Sequence, residues 1–178
     1  MSNAIPTRQL VFVDTEYSNL DTSVADLIEV AYAVEDGPVI SGIPPHVLAF
    51  ADPQALEVNR YYERGLDTAD RDHFIIRDVL QALRGNTLVA ANPRVDATML
   101  SRHGGGETWH YRLLDVESAA MLILGFDHVP SLRDIREDLT LRGYSIPAPD
   151  HSAAADVTTL RACFRALQDI ARVAGLPS

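Results

Sequence analysis

The segment LVFVDTE at residues 10–16 limits the fold of this chain more than any other feature. Four consecutive apolar residues predict a buried strand over residues 10–15, and two carboxylates stand where that strand ends. Residues two apart in a strand point to the same face, so Asp14 and Glu16 lie side by side. Such a pair repels itself unless something neutralises it. An isolated D-x-E pattern more often marks a strand that ends in a solvated turn.

The rest of the chain predicts strands first and then strands separated by helices. Turn residues at 35–38 connect the second and third strands, whereas helical periodicity appears only from residue 74 onward. Strands are predicted at residues 10–15, 27–34, 39–43, 87–91 and 111–114. Helices are predicted at 74–83, from Asn92, from Asp115 through Met121, at 131–141, and from about Ser152 to Gly175. This order predicts an α/β fold with a central mixed five-stranded sheet flanked by helices.

Length and composition limit the class of protein. With 178 residues, 47% of them hydrophobic, we expect one globular domain over residues 1–178 with its core at about 8–173. The sequence has no signal-peptide pattern and no apolar run of roughly 18 residues, which predicts a cytoplasmic protein without a membrane partner. A net charge of −10 argues against a broad phosphate-binding surface. The one cysteine, Cys163, excludes a disulfide fold and fits a helix core.

Two later segments also place carboxylates near helix starts. Asn92 is predicted to cap a helix that begins at Pro93, which puts Asp96 in its first turn. Ser152 is predicted to cap the last helix, with His151 just outside it and Asp156 in its first turn. Ligand sites of open α/β sheets gather at such edges. Four carboxylates brought together need two divalent cations, and oxygen ligands favour magnesium or manganese over zinc.

The three segments together resemble the motifs of the DEDDh-type (DnaQ-like) 3′-to-5′ exonucleases, the proofreading type on a ribonuclease H-like fold. The matching motifs are DTE at 14–16, NPRVD at 92–96 and the H-x-A-x-x-D sequence HSAAAD at 151–156. They occur in the family's order and with similar spacing, over residues 10 to about 165. A D-x-E alone is a weak signal, whereas the ordered set is a strong one.

The resemblance implies a role for each matching residue. Asp14, Glu16 and Asp156 would be direct ligands of two divalent ions, Mg²⁺ or Mn²⁺, with Asp14 bridging both and Asp96 completing the cluster partly through water. His151 would be the general base that takes a proton from the attacking water. The implied substrate is a single-stranded 3′ end of DNA or RNA, hydrolysed to nucleoside 5′-monophosphates in a two-metal mechanism.

The substrate-binding loop departs from the family pattern. The first motif continues as YSNL at residues 17–20, where the family commonly has Thr-Thr-Gly-Leu. Tyr17 is predicted to stack on a base and Leu20 to wedge beside it. Thr15 and Asn92 are the other residues predicted to contact substrate. The altered loop leaves the substrate preference open, while the metal ligands are intact.

Other functions stay open at this stage. The chain could be a non-catalytic exonuclease-like module that docks onto a replication assembly, or an RNase similar to the oligoribonucleases. A DNA polymerase is the partner that proofreading members of the family imply. The choice between DNA and RNA depends on readout of the 2′-hydroxyl, which the sequence does not locate. The oligomeric state is likewise not determined by the sequence.

Several acidic or aromatic patterns are predicted to be structural. Asp115-Val116-Glu117 mimics the first motif, but Asp115 fits the N-terminus of a helix. The acidic residues of 131–141 resemble a solvated helix face with ion pairs. Tyr61 and Tyr62 are more often packing residues, although with Arg64 they could form an edge that contacts a nucleic-acid strand.

Overall fold

The computed structural model describes residues 8–175, which contain one five-stranded mixed sheet. Its strands are β1 (Leu10–Tyr17), β2 (Leu27–Val34), β3 (Ile40–Gly42), β4 (Thr87–Ala90) and β5 (Leu114–Asp115). They lie in the order β3-β2-β1-β4-β5. β1 pairs antiparallel with β2 and parallel with β4, β2 pairs antiparallel with β3, and β4 pairs parallel with β5. The predicted mixed five-stranded sheet is confirmed.

Helices cover both faces of this sheet. They are α1 (Pro53–Val58), α2 (Ile75–Leu83), α3 (Pro93–Gly104), α4 (Val116–Leu124), α5 (Leu132–Leu141) and α6 (Ala153–Val173). Val11 and Val13 pack into the core with α2 and α3, whereas Phe12 packs into the core with α4 to α6. The Phe12 ring lies edge-on to Phe164 of α6, with centroids 5.5 Å apart. Because both faces of β1 are buried along its first half, residues 10–13 are continuously apolar rather than alternating.

Two of the three predicted side-chain caps, Asp115 and Ser152, are confirmed, and Ser131 caps a further helix. Asp115 accepts a hydrogen bond from the Ser118 amide, Ser152 accepts one from the Ala155 amide, and Ser131 forms a capping box with Asp134. These bonds satisfy amides that the first helical turn leaves free. The remaining helix, α3, has its N-cap at Asn92 as predicted, but the Asn92 side chain makes no capping hydrogen bond.

The predicted boundaries of two strands were wrong, and one helix was not predicted. β5 comprises only two residues instead of 111–114, because Tyr111 is 74% exposed and lies outside the ladder, next to the Arg112 guanidinium. β3 is shorter than the predicted 39–43. The sequence patterns also did not reveal α1, whose six residues are too few to show helical periodicity and whose start is marked by a capping bond from Asp52.

The acidic patterns predicted to be structural are structural. Glu117 accepts a hydrogen bond from the Leu132 amide and so joins α4 to α5. On α5, Asp138 pairs with Arg142 four residues later. Cys163 is buried on α6, as predicted. Among residues 8–175, none of the helices combines the length and apolar character that crossing a membrane requires.

Candidate active site

Three carboxylates converge at the C-terminal end of β1. Asp14 and Glu16 project from the same face of that strand, and Asp156 reaches them from the first turn of α6. One carboxylate oxygen from each lies within 4.8 Å of the others. We call Asp14, Glu16 and Asp156 the three-carboxylate cluster. It lies where β1 and its parallel neighbour β4 both end, the edge at which α/β sheets bind ligands.

Asp96 approaches from the opposite side of β1. It is in the first turn of α3 and is 7% exposed. Thr15 points away from the face that carries Asp14 and Glu16, and its hydroxyl donates a 2.8 Å hydrogen bond to Asp96 Oδ1. Asp96 therefore borders the three-carboxylate cluster instead of belonging to its tightest group.

Burial raises the pKa of all four carboxyl groups. The pKa of Asp14 is raised well above its usual value by burial and then by the charges of Glu16 and Asp96. Burial and the charge of Asp156 raise the pKa of Glu16 to about 8. Burial raises the pKa of Asp96 to about 7, and it raises the pKa of Asp156 as well. Burial thus disfavours the ionised form of all four carboxyl groups, and neighbouring negative charge adds to this effect at Asp14 and Glu16.

The donor set suits divalent cations that prefer oxygen. Asp14, Glu16 and Asp156 offer carboxylate oxygens at a mutual distance that one or two such ions can bridge. A bound cation favours the ionised carboxylates and so offsets both burial and mutual repulsion. Carboxylates suit magnesium and manganese, and the cluster contains no thiolate or imidazole of the kind that zinc prefers.

A cleft of about 350 Å³ opens over the cluster. All residues assigned to the site from the sequence line it: Asp14, Thr15, Glu16, Tyr17, Leu20, Asn92, Asp96, His151 and Asp156. His151 is exposed and precedes the N-cap of α6, with a φ of 61° in the left-handed region. The structure thus brings the predicted residues together, and their individual roles stay predictions.

Sequence reasoning missed one wall of this cleft. α1 contributes Gln54, Ala55 and Val58, and Asn59 follows that helix. Asn59 is buried and its side-chain amide donates a 3.0 Å hydrogen bond to the Tyr17 carbonyl, which fixes the end of β1. No sequence pattern marked this wall.

Glu29 and Arg64 were also missed as partners of the site. Glu29 is the single charged residue in the apolar pattern of β2, which was the one signal that could have found it. Arg64 Nη2 lies 2.7 Å from Glu29 Oε2, and Arg64 Nη1 donates to the His151 carbonyl at 2.8 Å. Arg64 is thus bound to other groups of the site rather than forming an open edge. Tyr61 is buried and hydrogen-bonded to His46, which confirms its packing role.

Comparison with solved structures shows which fold surrounds this site. Exonuclease X in complex with 5′-overhanging duplex DNA aligns with a TM-score of 0.61 and 19% identity, over 94% of this chain and 94% of that chain. E. coli Exonuclease I in complex with a dT13 oligonucleotide aligns with a TM-score of 0.69 and 14% identity, over 95% of this chain and 43% of that one. Brucella melitensis NrnC aligns with a TM-score of 0.57 and 17% identity, over 95% and 76% of the two chains.

The chain has the ribonuclease H-like fold of these exonucleases. It spans less than half the length of Exonuclease I. No protein-family model and no curated protein matches the sequence. At identities below 20%, these similarities establish the fold alone, because one fold can carry sites of different function.

Proposed function

We propose that this protein is a divalent-metal-dependent 3′-to-5′ exonuclease of the DEDDh type. It hydrolyses the terminal phosphodiester bond of a single-stranded 3′ end and releases nucleoside 5′-monophosphates. The observation that carries the proposal is the convergence of Asp14, Glu16 and Asp156 within 4.8 Å at the end of β1. His151 and Asp96 line the same cleft, so all five residues of the motif set face one site.

The cluster supports a metal-dependent displacement at phosphorus. Two divalent ions held by Asp14, Glu16 and Asp156 would stabilise the charge on the attacking and leaving oxygens of the phosphodiester. Asp96 adds negative charge beside the cluster, and the Thr15 hydroxyl fixes its carboxylate. Together these side chains form an acidic site with room for a nucleotide in the adjoining cleft.

His151 supplies the base. Its imidazole borders the cleft next to Asp156 and takes a proton from the attacking water through a free ring nitrogen. Tyr17 and Leu20 line the same cleft and present an aromatic ring and an exposed apolar side chain to the terminal base. We therefore propose hydrolysis with His151 as the general base. Tyr17 and Leu20 hold the 3′ end of the strand through its terminal nucleobase.

The substrate class is single-stranded nucleic acid. Two neighbours in fold were solved with DNA, one a 5′-overhanging duplex and the other a dT13 oligonucleotide. The net charge of −10 favours local binding of one strand end over extensive contact with a long strand. Both DNA and RNA belong in the assay, because the groups that read the 2′-hydroxyl are not assigned.

The deciding experiment is hydrolysis of matched DNA and RNA oligonucleotides with Mg²⁺ or Mn²⁺. A 5′-labelled strand should shorten stepwise from its 3′ end, with nucleoside 5′-monophosphates as products. Asp14→Asn and His151→Ala should each abolish hydrolysis. The melting temperature of each variant should equal or exceed that of wild type. The controls are Asp169→Asn on the exposed part of α6 and His128→Ala on an exposed turn. An unchanged rate for Asp14→Asn or His151→Ala would overturn the mechanism.

A further inference from the structure

Glu29 is a fifth carboxylate next to the three-carboxylate cluster. It lies directly opposite Glu16 in the antiparallel register of β1 and β2, so both side chains are on one face of the sheet. Glu29 is 7% exposed. Like charges at directly opposed positions destabilise a strand pair, and a buried charge without a partner costs more. A glutamate at this position therefore requires a specific cation.

Arg64 is that cation. Its Nη2 lies 2.7 Å from Glu29 Oε2, and the two side chains are only 19% and 9% exposed. The Arg64 guanidinium is therefore held by Glu29, the residue that lies opposite the cluster member Glu16.

The same pair also holds the segment that leads into α6. Arg64 Nη1 donates a 2.8 Å hydrogen bond to the His151 carbonyl. Glu29 Oε2 accepts a 3.1 Å hydrogen bond from the Ala153 amide, two residues further along. The pair therefore binds the backbone on both sides of the N-cap Ser152. His151, whose carbonyl makes the first of these contacts, has a φ of 61°, a conformation that is uncommon for residues other than glycine.

We propose that Arg64, held by Glu29, is a positioning residue that fixes the backbone of His151 so that its imidazole borders the three-carboxylate cluster. This inference rests on the proposed function, in which His151 is the general base. A general base must be within hydrogen-bonding reach of the proton that it accepts. Small displacements of such a group reduce the rate strongly, so a residue that fixes its backbone affects turnover without contacting substrate.

The test compares Arg64→Ala with Arg60→Ala. Arg60 lies in the same segment but forms an exposed ion pair with Glu63. For Arg64→Ala we expect kcat to fall about 10- to 100-fold, with little change in the KM for an oligonucleotide. Millimolar guanidinium should restore part of the lost kcat in Arg64→Ala and should leave wild type and Arg60→Ala unaffected. Arg60→Ala should retain the wild-type kcat.

The affinity for Mn²⁺ distinguishes two possible roles of Arg64: positioning of His151 and support of the metal ligands. Arg64→Ala should bind Mn²⁺ with nearly wild-type affinity while kcat falls. If Arg64→Ala loses Mn²⁺ affinity in proportion to kcat, the residue acts through the carboxylates and the inference is overturned. The inference is also overturned if wild type is active and Arg64→Ala has the same kcat. An inactive wild type instead overturns the proposed function on which the inference rests.

A second variant covers the case in which Arg64→Ala does not fold. Removing Arg64 alone leaves Glu29 buried and unpaired, whereas Arg64→Met with Glu29→Gln removes both charges. The double variant should fold and should show the same loss of kcat with retained Mn²⁺ affinity. A folded double variant with wild-type kcat would contradict the positioning role.

Discussion

The Thr15 hydroxyl donates a 2.8 Å hydrogen bond to Asp96 Oδ1 and so joins two segments that are 81 residues apart. Thr15 belongs to β1 and Asp96 to the first turn of α3. Because Thr15 faces away from Asp14 and Glu16, it fixes a fourth carboxylate beside the cluster without entering the cluster. The substrate contact predicted for Thr15 stays a prediction, and its side-chain hydroxyl is bound to Asp96.

Thr15→Val tests this bond with a side chain of nearly the same shape. The buried Asp96 carboxylate loses its hydroxyl donor, which should lower the free energy of unfolding by about 1–3 kcal/mol. The loss should be larger at about pH 8 than at about pH 5, because the pKa of Asp96 is about 7 and its protonated form depends less on the donor. Urea unfolding of wild type and Thr15→Val at both pH values measures this loss in the free energy of unfolding.

Thr158→Val is the matched control. The Thr158 hydroxyl donates to the Ala154 carbonyl within α6, a bond that many helical threonines make. Its replacement should change stability by less than that of Thr15 and equally at both pH values. Equal losses in the two variants would show that the Asp96 contact has no special importance.

Stability in EDTA should fall as the pH rises. The pKa of Glu16 is raised to about 8 and that of Asp96 to about 7, so the folded protein binds these protons more tightly than the unfolded chain does. Their contribution to stability is present at low pH and is lost as the pH passes through these values. Thermal unfolding between about pH 5 and about pH 8 should therefore show a falling melting temperature.

Glu16→Gln tests whether Glu16 causes the decrease in stability with rising pH. The glutamine cannot ionise, so the variant should lose less stability than wild type over the same pH interval in EDTA. The control is Glu57→Gln, which replaces an exposed carboxylate of α1. A Glu16→Gln variant with the wild-type slope would contradict a raised pKa at this position.

Magnesium or manganese should stabilise the folded protein. Ions that bind only the folded state raise its stability by mass action, by about 2.7 kcal/mol at a concentration of 100 times Kd. The shift in melting temperature should increase with pH, because protons compete with metal for the carboxylates. Asp14→Asn and Asp156→Asn should reduce it strongly. An unchanged melting temperature, with no hydrolysis in Mn²⁺, would instead favour a non-catalytic docking module.

Leu20→Ala tests the predicted contact with the terminal base. Leu20 is 67% exposed and lines the cleft, so its truncation should leave the melting temperature unchanged. Loss of an apolar contact worth about 1–2 kcal/mol should raise the KM for a short oligonucleotide by a factor of roughly 5 to 30. Leu122→Ala, on an exposed position of α4, is the control and should have the wild-type KM. Equal KM values for Leu20→Ala and Leu122→Ala would show that the terminal nucleobase does not contact Leu20.

Much of the fold was predictable from local pattern. The structure contains the elements that three local signals predict: the apolar run before Asp14, the caps Asp115 and Ser152, and the helical periodicity that begins at residue 74. Short elements were less predictable. The two residues of β5 and the six of α1 exist because neighbouring segments pack against them, and so few residues show no periodicity.

The sequence by itself determined where Asp14, Glu16 and Asp156 stand on their elements, through strand alternation and the position of Asp156 in the first turn of its helix. Only the tertiary structure decided what surrounds them. The register of β1 with β2 sets Glu29 opposite Glu16, and packing of the segment after α1 brings Arg64 to both Glu29 and His151. Such contacts depend on strand register and on packing between segments that are distant in sequence. Local sequence patterns carry no information about either.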